Sequence, residues 1–321
     1  VGGRLATGSL GLRRARYGNP RELVEELIIA HGDGLVTYTR GMSNRAMQQQ
    51  ALGYDLNKII VGSLGTLSII LEATLRVAPL PESEATVIAA FDEPAALWDL
   101  LDDFAAAELQ PAAAALCGAG VLAAGHGLAA EHATLLTPAA HPLLLVRLAG
   151  ALPEIRRQAL TVRNLILKFG GTPPLLLPGN AMVAAWDALD DFPATADLAP
   201  TAAVIKVSAL PSEIGTVVEA ARSLGGEHGL RLGWVADAVT GLVWLRVMDD
   251  GADGHFATAL IGLQDALARR WRNAVVLGCA PELRERLPLW GADPQGIELL
   301  RAIKRRFDPQ GILNPGRFRG K

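Results

Sequence analysis

The chain has 321 residues, room for about two domains of roughly 150 residues each. Half of its residues are hydrophobic and its formal net charge is −3, with a pI near 6.1. That composition excludes a disordered chain and a nucleic-acid binder acting through bulk positive charge. The two cysteines, Cys117 and Cys279, form no CxxC or Cys/His ligand pattern. A zinc knuckle, a Cys-ligated iron–sulfur cluster and a disulfide framework within the chain are thereby excluded, and a reducing cytoplasm is the expected location.

The opening Val1-Gly2-Gly3 lacks the basic and apolar regions of a signal peptide, so none is expected. Residues 1–11 read as a Gly-rich loop. Leu23 to Ala30 and Leu35 to Tyr38 read as strands of a hairpin around Asp33-Gly34, with a type I′ turn that places both central residues at positive φ. Residues 58–78 read as further β structure: Ile59-Ile60-Val61, then Gly62-Ser63-Leu64-Gly65-Thr66, then Leu67 to Leu71 and Ala73 to Val77. Pro79 and Pro81 break this pattern and put a domain boundary near residue 81.

The middle alternates. Thr86 to Phe91 is a strand, and Pro94 to Ala107 is a helix with Leu97, Leu100, Leu101 and Phe104 on one face. Pro111 to Ala130 is uncharged and holds His126. It is too rich in Ala and Gly for a membrane span, so an Ala-rich buried or loosely packed segment is expected. Leu143 to Leu148 is a strand and Pro153 to Phe169 a helix. Ala202 to Val207 is a strand, and Pro211 to Leu224 is a helix ending at Gly225-Gly226. Leu230 to Val235 and Leu242 to Val247 pair around Thr240-Gly241, His255 to Trp271 is a helix, and Ala274 to Leu277 is a strand. This order predicts an α+β layer, an antiparallel sheet with helices on one face. A basic amphipathic helix over Pro294 to Arg306 then runs into a rigid Pro/Gly-rich tail.

Three Gly-rich pieces, Gly2 to Gly11, Gly53 to Leu67 and Asn314-Pro315-Gly316-Arg317, could bring backbone N–H groups close to an anion as a nest. None matches a Rossmann or Walker loop. The adjacent acids Asp102-Asp103, Asp190-Asp191 and Asp249-Asp250 point apart, and Ser63 has no nameable His/Asp partner. The histidines 31, 126, 132, 141, 228 and 255 are scattered and read as turn or surface groups. Lys304-Arg305-Arg306 is either a phosphate or partner contact or a solvated helix end. No catalytic residue and no metal ligand is assigned.

The run Gly53-Tyr54-Asp55-Leu56-x-Lys58-Ile59-x-x-Gly62-Ser63-Leu64-Gly65-Thr66-Leu67 resembles the FAD-domain signature of the vanillyl-alcohol oxidase (p-cresol methylhydroxylase, PCMH) flavoprotein superfamily. The tail Lys304-x-x-Phe307-Asp308-Pro309-x-Gly311-Ile312-Leu313-Asn314-Pro315-Gly316-Arg317 resembles its C-terminal signature, and Gly2-Gly3 to Tyr17-Gly18 its second cofactor loop. Leu64, where most relatives have Glu, together with Arg13-Arg14-x-Arg16-Tyr17-Gly18 and Trp290-Gly291, resembles the E-type subunits of glycolate oxidases.

The resemblance implies the second half of a PCMH-type FAD-binding domain at 1–81, an α+β cap with an antiparallel sheet at 82–289, and a C-terminal helix and tail at 290–321 returning to the FAD domain. It implies that Gly2, Gly3, Thr7, Gly8, Ser9, Leu10, Gly53, Tyr54, Gly62, Leu64, Gly65, Thr66, Leu67, Ile69, Ile70, Asn314 and Arg317 contact FAD. The implied function is that of an FAD-binding subunit of a complex oxidising a small 2-hydroxy acid. Its partners would be a catalytic flavoprotein subunit and an iron–sulfur subunit, with no nucleic acid and at most a peripheral association with the inner membrane. The alternative is a non-catalytic interaction subunit with an incomplete FAD site. The departures are the earlier Gly-rich half expected ahead of Gly2, Met47-Gln48-Gln49-Gln50 where a Lys is expected, and the absence of a His-x-His pair.

Overall fold

The computed structural model describes residues 1–9, 11–39, 55–122, 141–194, 198–249, 255–271, 273–291 and 295–317. They fall into two compact units, Val1–Leu80 with Asp293–Lys321, and Pro81–Ala292.

The first unit holds α1 (Gly2–Thr7), α2 (Arg14–Tyr17), α3 (Pro20–Leu23), β1 (Val24–Ala30), β2 (Val36–Tyr38), the helical turn α4 (Asn57–Ile60), β3 (Ile69–Leu75) and the C-terminal helix Ile297–Phe307. Its antiparallel sheet has the order β2-β1-β3. A small core of Leu5, Val24, Leu27, Ile29, Ile60, Val61 and Leu67 is extended by Ile303 and Phe307 of the C-terminal helix.

Three expectations are corrected in this unit. Gly2 and Gly3 lie in a helix, because burying Leu5 and capping with left-handed Gly8 outweigh their poor propensity. The run Ile59-Ile60-Val61 is not a strand. Asn57 is buried just before it and ties the chain into a helical turn, donating Nδ2 to the Glu25 carbonyl (3.1 Å) and accepting from Thr39 Oγ1 (2.5 Å). The β1–β2 hairpin forms, but not through a type I′ turn. Only Gly34 has positive φ (85°), its N–H closes on the His31 carbonyl (3.0 Å), and Asp33 Oδ1 takes the Leu35 N–H (3.0 Å).

The second unit is an eight-stranded, wholly antiparallel sheet of order β11-β8-β10-β9-β5-β6-β4-β7. Its strands are β4 (Ser83–Ala90), β5 (Ala113–Cys117), β6 (Leu143–Gly150), β7 (Leu175–Leu176), β8 (Ala202–Ser208), β9 (Arg231–Asp237), β10 (Leu242–Met248) and β11 (Val275–Cys279). Helices α5 (Pro94–Ala106), α6 (Leu152–Lys168), α8 (Ile214–Glu227) and α9 (Phe256–Arg270) share one core with alternate strand residues such as Val87, Val146, Ile205 and Leu245.

An unforeseen helix, α7 (Gly179–Asp191), meets the other face. There Trp186 Nε1 donates to the buried Thr86 hydroxyl at 2.9 Å, and Thr86 alternates with Val87 across the sheet. Helix α8 does not stop at Gly225-Gly226 but continues to Glu227, and a short helix α10 (Pro281–Arg284) follows β11. The uncharged segment at 111–130 begins with β5, every residue of which is buried, and its part beyond residue 122, with His126, lies outside the described residues. Among the described residues, no helix is long and apolar enough to cross a membrane.

Gly215, near the start of α8, lies against the Trp98 ring, which itself packs on Trp234 with centroids 5.7 Å apart. A methyl group there would sit 2.6–2.9 Å from ring atoms. Gly215→Ala is therefore expected to cost about 1–3 kcal/mol, read as a lower denaturation midpoint. An unchanged midpoint would mean that the ring yields without cost.

Candidate functional site

The three sequence motifs of the first unit converge. The carbonyls at the end of α1 receive the next Gly-rich turn: Gly62 N–H donates to Leu5 (2.9 Å) and Leu64 N–H to Ala6 (2.7 Å). Gly8 and Gly62 pack backbone to backbone, so a Cβ on Gly8 would lie 3.1 Å from Gly62 Cα. Arg21 Nε donates to the Val61 carbonyl (3.0 Å) and steadies the entry to the turn.

Within the turn, Ser63 N–H bonds Ile60 O (3.0 Å), Thr66 N–H bonds Ser63 O (3.0 Å), and the buried Thr66 hydroxyl donates to the same Ser63 carbonyl (2.6 Å). Gly62, Leu64 and Gly65 all have positive φ (86°, 58° and 67°). From the C-terminal tail, Asn314 Nδ2 donates to Leu64 O (2.6 Å), and Lys304 Nζ donates to Thr66 O (2.7 Å).

This arrangement corrects the expectation of a backbone nest. The amides of Gly62, Ser63, Leu64 and Thr66 already have protein acceptors. The polar groups left over are the Gly65 and Leu67 N–H groups and the buried hydroxyls of Ser63 and Ser68, which have no partner among the described residues. Thr7 and Ser9 share a hydroxyl–hydroxyl bond (2.6 Å) on the exposed end of α1. Gly2 and Gly3 face open space. Buried groups without partners are rare in folded proteins. Two orphaned hydroxyls and two free amides around a glycine turn are a donor set that fits a ligand rich in acceptors, as FAD is, though with fewer amide donors than the sequence implies.

Of the remaining expected contacts, Ile70 packs on the core and Ile69 is exposed in β3. Arg317 makes a backbone hydrogen bond to Asn314 O (3.2 Å). Leu10, Gly53, Tyr54, His132 and Met47 to Gln50 lie outside the described residues.

Lys304 belongs in sequence to the basic cluster 304–306, yet its side chain is largely buried and points inward. It bonds Asp308 Oδ2 (2.5 Å) and Leu313 O (3.0 Å) as well as Thr66 O. Asp308 is fully buried at its side chain. Burial opposes its charge, but hydrogen bonds from Lys304 and from the Leu313 and Ile312 N–H groups, with the Lys304 charge, hold its carboxyl below the ordinary aspartate value. The four-residue spacing of Lys304 and Asp308 was a signal the sequence offered.

Elsewhere, burial pushes the Cys117 thiol up to about 12, which removes it as a thiolate at neutral pH. His31 sits in its turn, with Nε2 2.8 Å from Thr37 Oγ1 and its ring stacked on Phe307, beside a cavity of about 260 Å³. Among the described residues, no group of three His, Cys, Asp or Glu could hold a metal ion.

Residues 80–260 and 289–318 match the family of FAD linked oxidases, C-terminal domain. The chain belongs to this FAD-linked oxidase family. It is 25% identical to glycolate oxidase subunit GlcD of Bacillus subtilis, over the whole of this chain and 68% of that protein. It is 26% identical to a probable mitochondrial D-lactate dehydrogenase of Danio rerio, over 98% of this chain and 64% of that protein. The chain thus spans about two thirds of the length of these relatives. A p-cresol methylhydroxylase crystal structure with bound substrate superposes with a TM-score of 0.71 at 15% identity, over 98% of this chain and 68% of that one, which establishes the fold expected from the motifs. The family is FAD-linked and its members are oxidoreductases.

Proposed function

We propose that the chain is an FAD-binding subunit of a glycolate oxidase-like complex that oxidises a small 2-hydroxy acid and passes electrons to partner subunits, a catalytic flavoprotein and an iron–sulfur protein. The observation that carries this reading is the convergence of α1, the Gly62–Leu67 turn and Asn314, which leaves the Ser63 and Ser68 hydroxyls and the Gly65 N–H unspent among the described residues. The similarity to GlcD and to a D-lactate dehydrogenase supports the substrate class. Bound FAD would supply the two-electron acceptor. In this chain, Gly65 N–H, Ser63 and Ser68 would donate to it, the glycines at 8 and 62 would admit close approach, and Thr7 and Ser9 would offer hydroxyls at the rim. The chain isolated by affinity tag with its partners should contain flavin and reduce a redox dye with glycolate or D-lactate. A complex without flavin, or without either activity, defeats the reading.

A second reading, a non-catalytic interaction subunit, is favoured by one observation: four amides of the turn are consumed by the protein itself. Each charge-assisted hydrogen bond to a phosphate is worth roughly 1.5–3 kcal/mol, so forgoing two or three weakens binding by about 10²-fold or more. The 321-residue chain alone is accordingly expected to hold FAD weakly and to oxidise no hydroxy acid. A yellow, stoichiometrically flavinylated preparation that reduces a dye with glycolate would overturn that expectation.

A further inference from the structure

We infer that Lys304 and Asn314 are positioning residues that lock the Gly62–Leu67 turn in its ligand-ready shape from the C-terminal tail; their relevance to FAD rests on the function proposed above. Among the described residues, Leu64 is one of two non-glycine residues with positive φ, the other being Asn314 itself. A left-handed leucine is unfavourable and persists only where its surroundings over-determine it. Here both peptide groups of Leu64 are held. Its N–H is bound by Ala6 O, and its carbonyl is bound by Asn314 Nδ2. Asn314 also lies against Gly65, where a Cβ would come within 2.9 Å of Nδ2, so the tail and turn fit closely at that point.

Lys304 fixes the Thr66 carbonyl, two residues further on, and spends its three ammonium protons on Thr66 O, Asp308 Oδ2 and Leu313 O. Asp308 in turn binds the N–H groups of Ile312 and Leu313, which closes the tail into a loop and delivers Asn314 to Leu64. With the Leu64 and Thr66 carbonyls and four amides of the turn committed, the Gly65 N–H is held in place without an acceptor among the described residues. The tail therefore acts on the ligand through the turn, and these two side chains need not touch the ligand to matter.

Asn314→Gly tests this cleanly, because glycine keeps the left-handed backbone and removes only the tether. Hydrogen exchange of the whole 321-residue chain, read on peptides spanning Ile60–Ser68, should accelerate about tenfold in Asn314→Gly and in Lys304→Met, while peptides of β8 and β10 stay unchanged. Unchanged exchange in Asn314→Gly overturns the inference, whatever Lys304→Met does to folding. In parallel, quenching of FAD fluorescence should show an about tenfold weaker Kd in Asn314→Gly, and the visible circular dichroism of the bound flavin should change. Equal affinity and an unaltered flavin spectrum would overturn the positioning role. If the unsubstituted chain, alone and with its partners, binds no FAD, the proposed function fails, and the exchange measurement alone decides whether the tail locks the turn.

Discussion

Gly241→Ala is expected to destabilise the Pro81–Ala292 unit by about 3–5 kcal/mol, through left-handed strain and a steric clash combined. Gly241 closes the β9–β10 hairpin at φ 72°, its N–H bonded to Asp237 O (3.0 Å) and its carbonyl accepting from Ala209 N–H (3.1 Å). Asp237, fully buried, takes the Val239 and Thr240 N–H groups on Oδ1 (3.0 and 3.2 Å) and the Thr240 hydroxyl on Oδ2. The turn therefore cannot relax without breaking several bonds. A methyl group at Gly241 would run into the Ala209 carbonyl oxygen and lie 2.8 Å from the Leu210 carbonyl carbon, and backbone cannot swing aside as a side chain can. Gly229→Ala is the matched control. Its φ is 68° but no atom lies within 4 Å of the added carbon, so only the backbone term of about 1–2 kcal/mol remains. Urea denaturation of both variants checks the pair. Equal losses would mean that the clash at Gly241 is absorbed.

That hairpin was readable from Thr240-Gly241 between alternating runs, and so were α5, from the spacing of Leu97, Leu100, Leu101 and Phe104, and the apolar strand β6. Two elements escaped because their local signal opposes their tertiary setting. Strand β5 is three alanines, a leucine and a cysteine, with no β-branched residue. It is a strand because β6 and β9 flank it on both sides. Ile59-Ile60-Val61 has the composition of a strand, but the buried Asn57 binds Glu25 and Thr39 and sets a helical turn. At the site, the glycines marked where backbones approach. They could not reveal that the turn's amides are spent on Leu5 and Ala6, because those acceptors lie more than fifty residues earlier in the chain. The inward course of Lys304 was hidden for the same reason: two of its acceptors are backbone carbonyls, and one of them belongs to Thr66.

Asp308→Asn is expected to cost the first unit about 3–5 kcal/mol at neutral pH, the usual loss when one partner of a buried ion pair is removed. The amide cannot replace the carboxylate in both of its tasks. It leaves the largely buried Lys304 ammonium without its counter-charge and turns a donor toward one of the Ile312 and Leu313 N–H groups. The pH dependence carries the sharper test. The native carboxyl lies below its ordinary value of 3.8, so the folded state binds its proton less readily than the unfolded state does. Its contribution is complete above pH 3.8 and is lost as the pH falls from there through the lowered native value. The stability difference between the unsubstituted chain and Asp308→Asn should thus be flat from pH 7 to about 5 and shrink below the ordinary aspartate value near 4. The only tryptophans lie in Pro81–Ala292, so the measurement must be made on first-unit probes, such as the exchange of β1 amides. A difference that persists undiminished through the acid range would mean that packing rather than the carboxylate charge accounts for the loss. No difference at pH 7 would mean that the Lys304–Asp308 pair does not hold the tail at all.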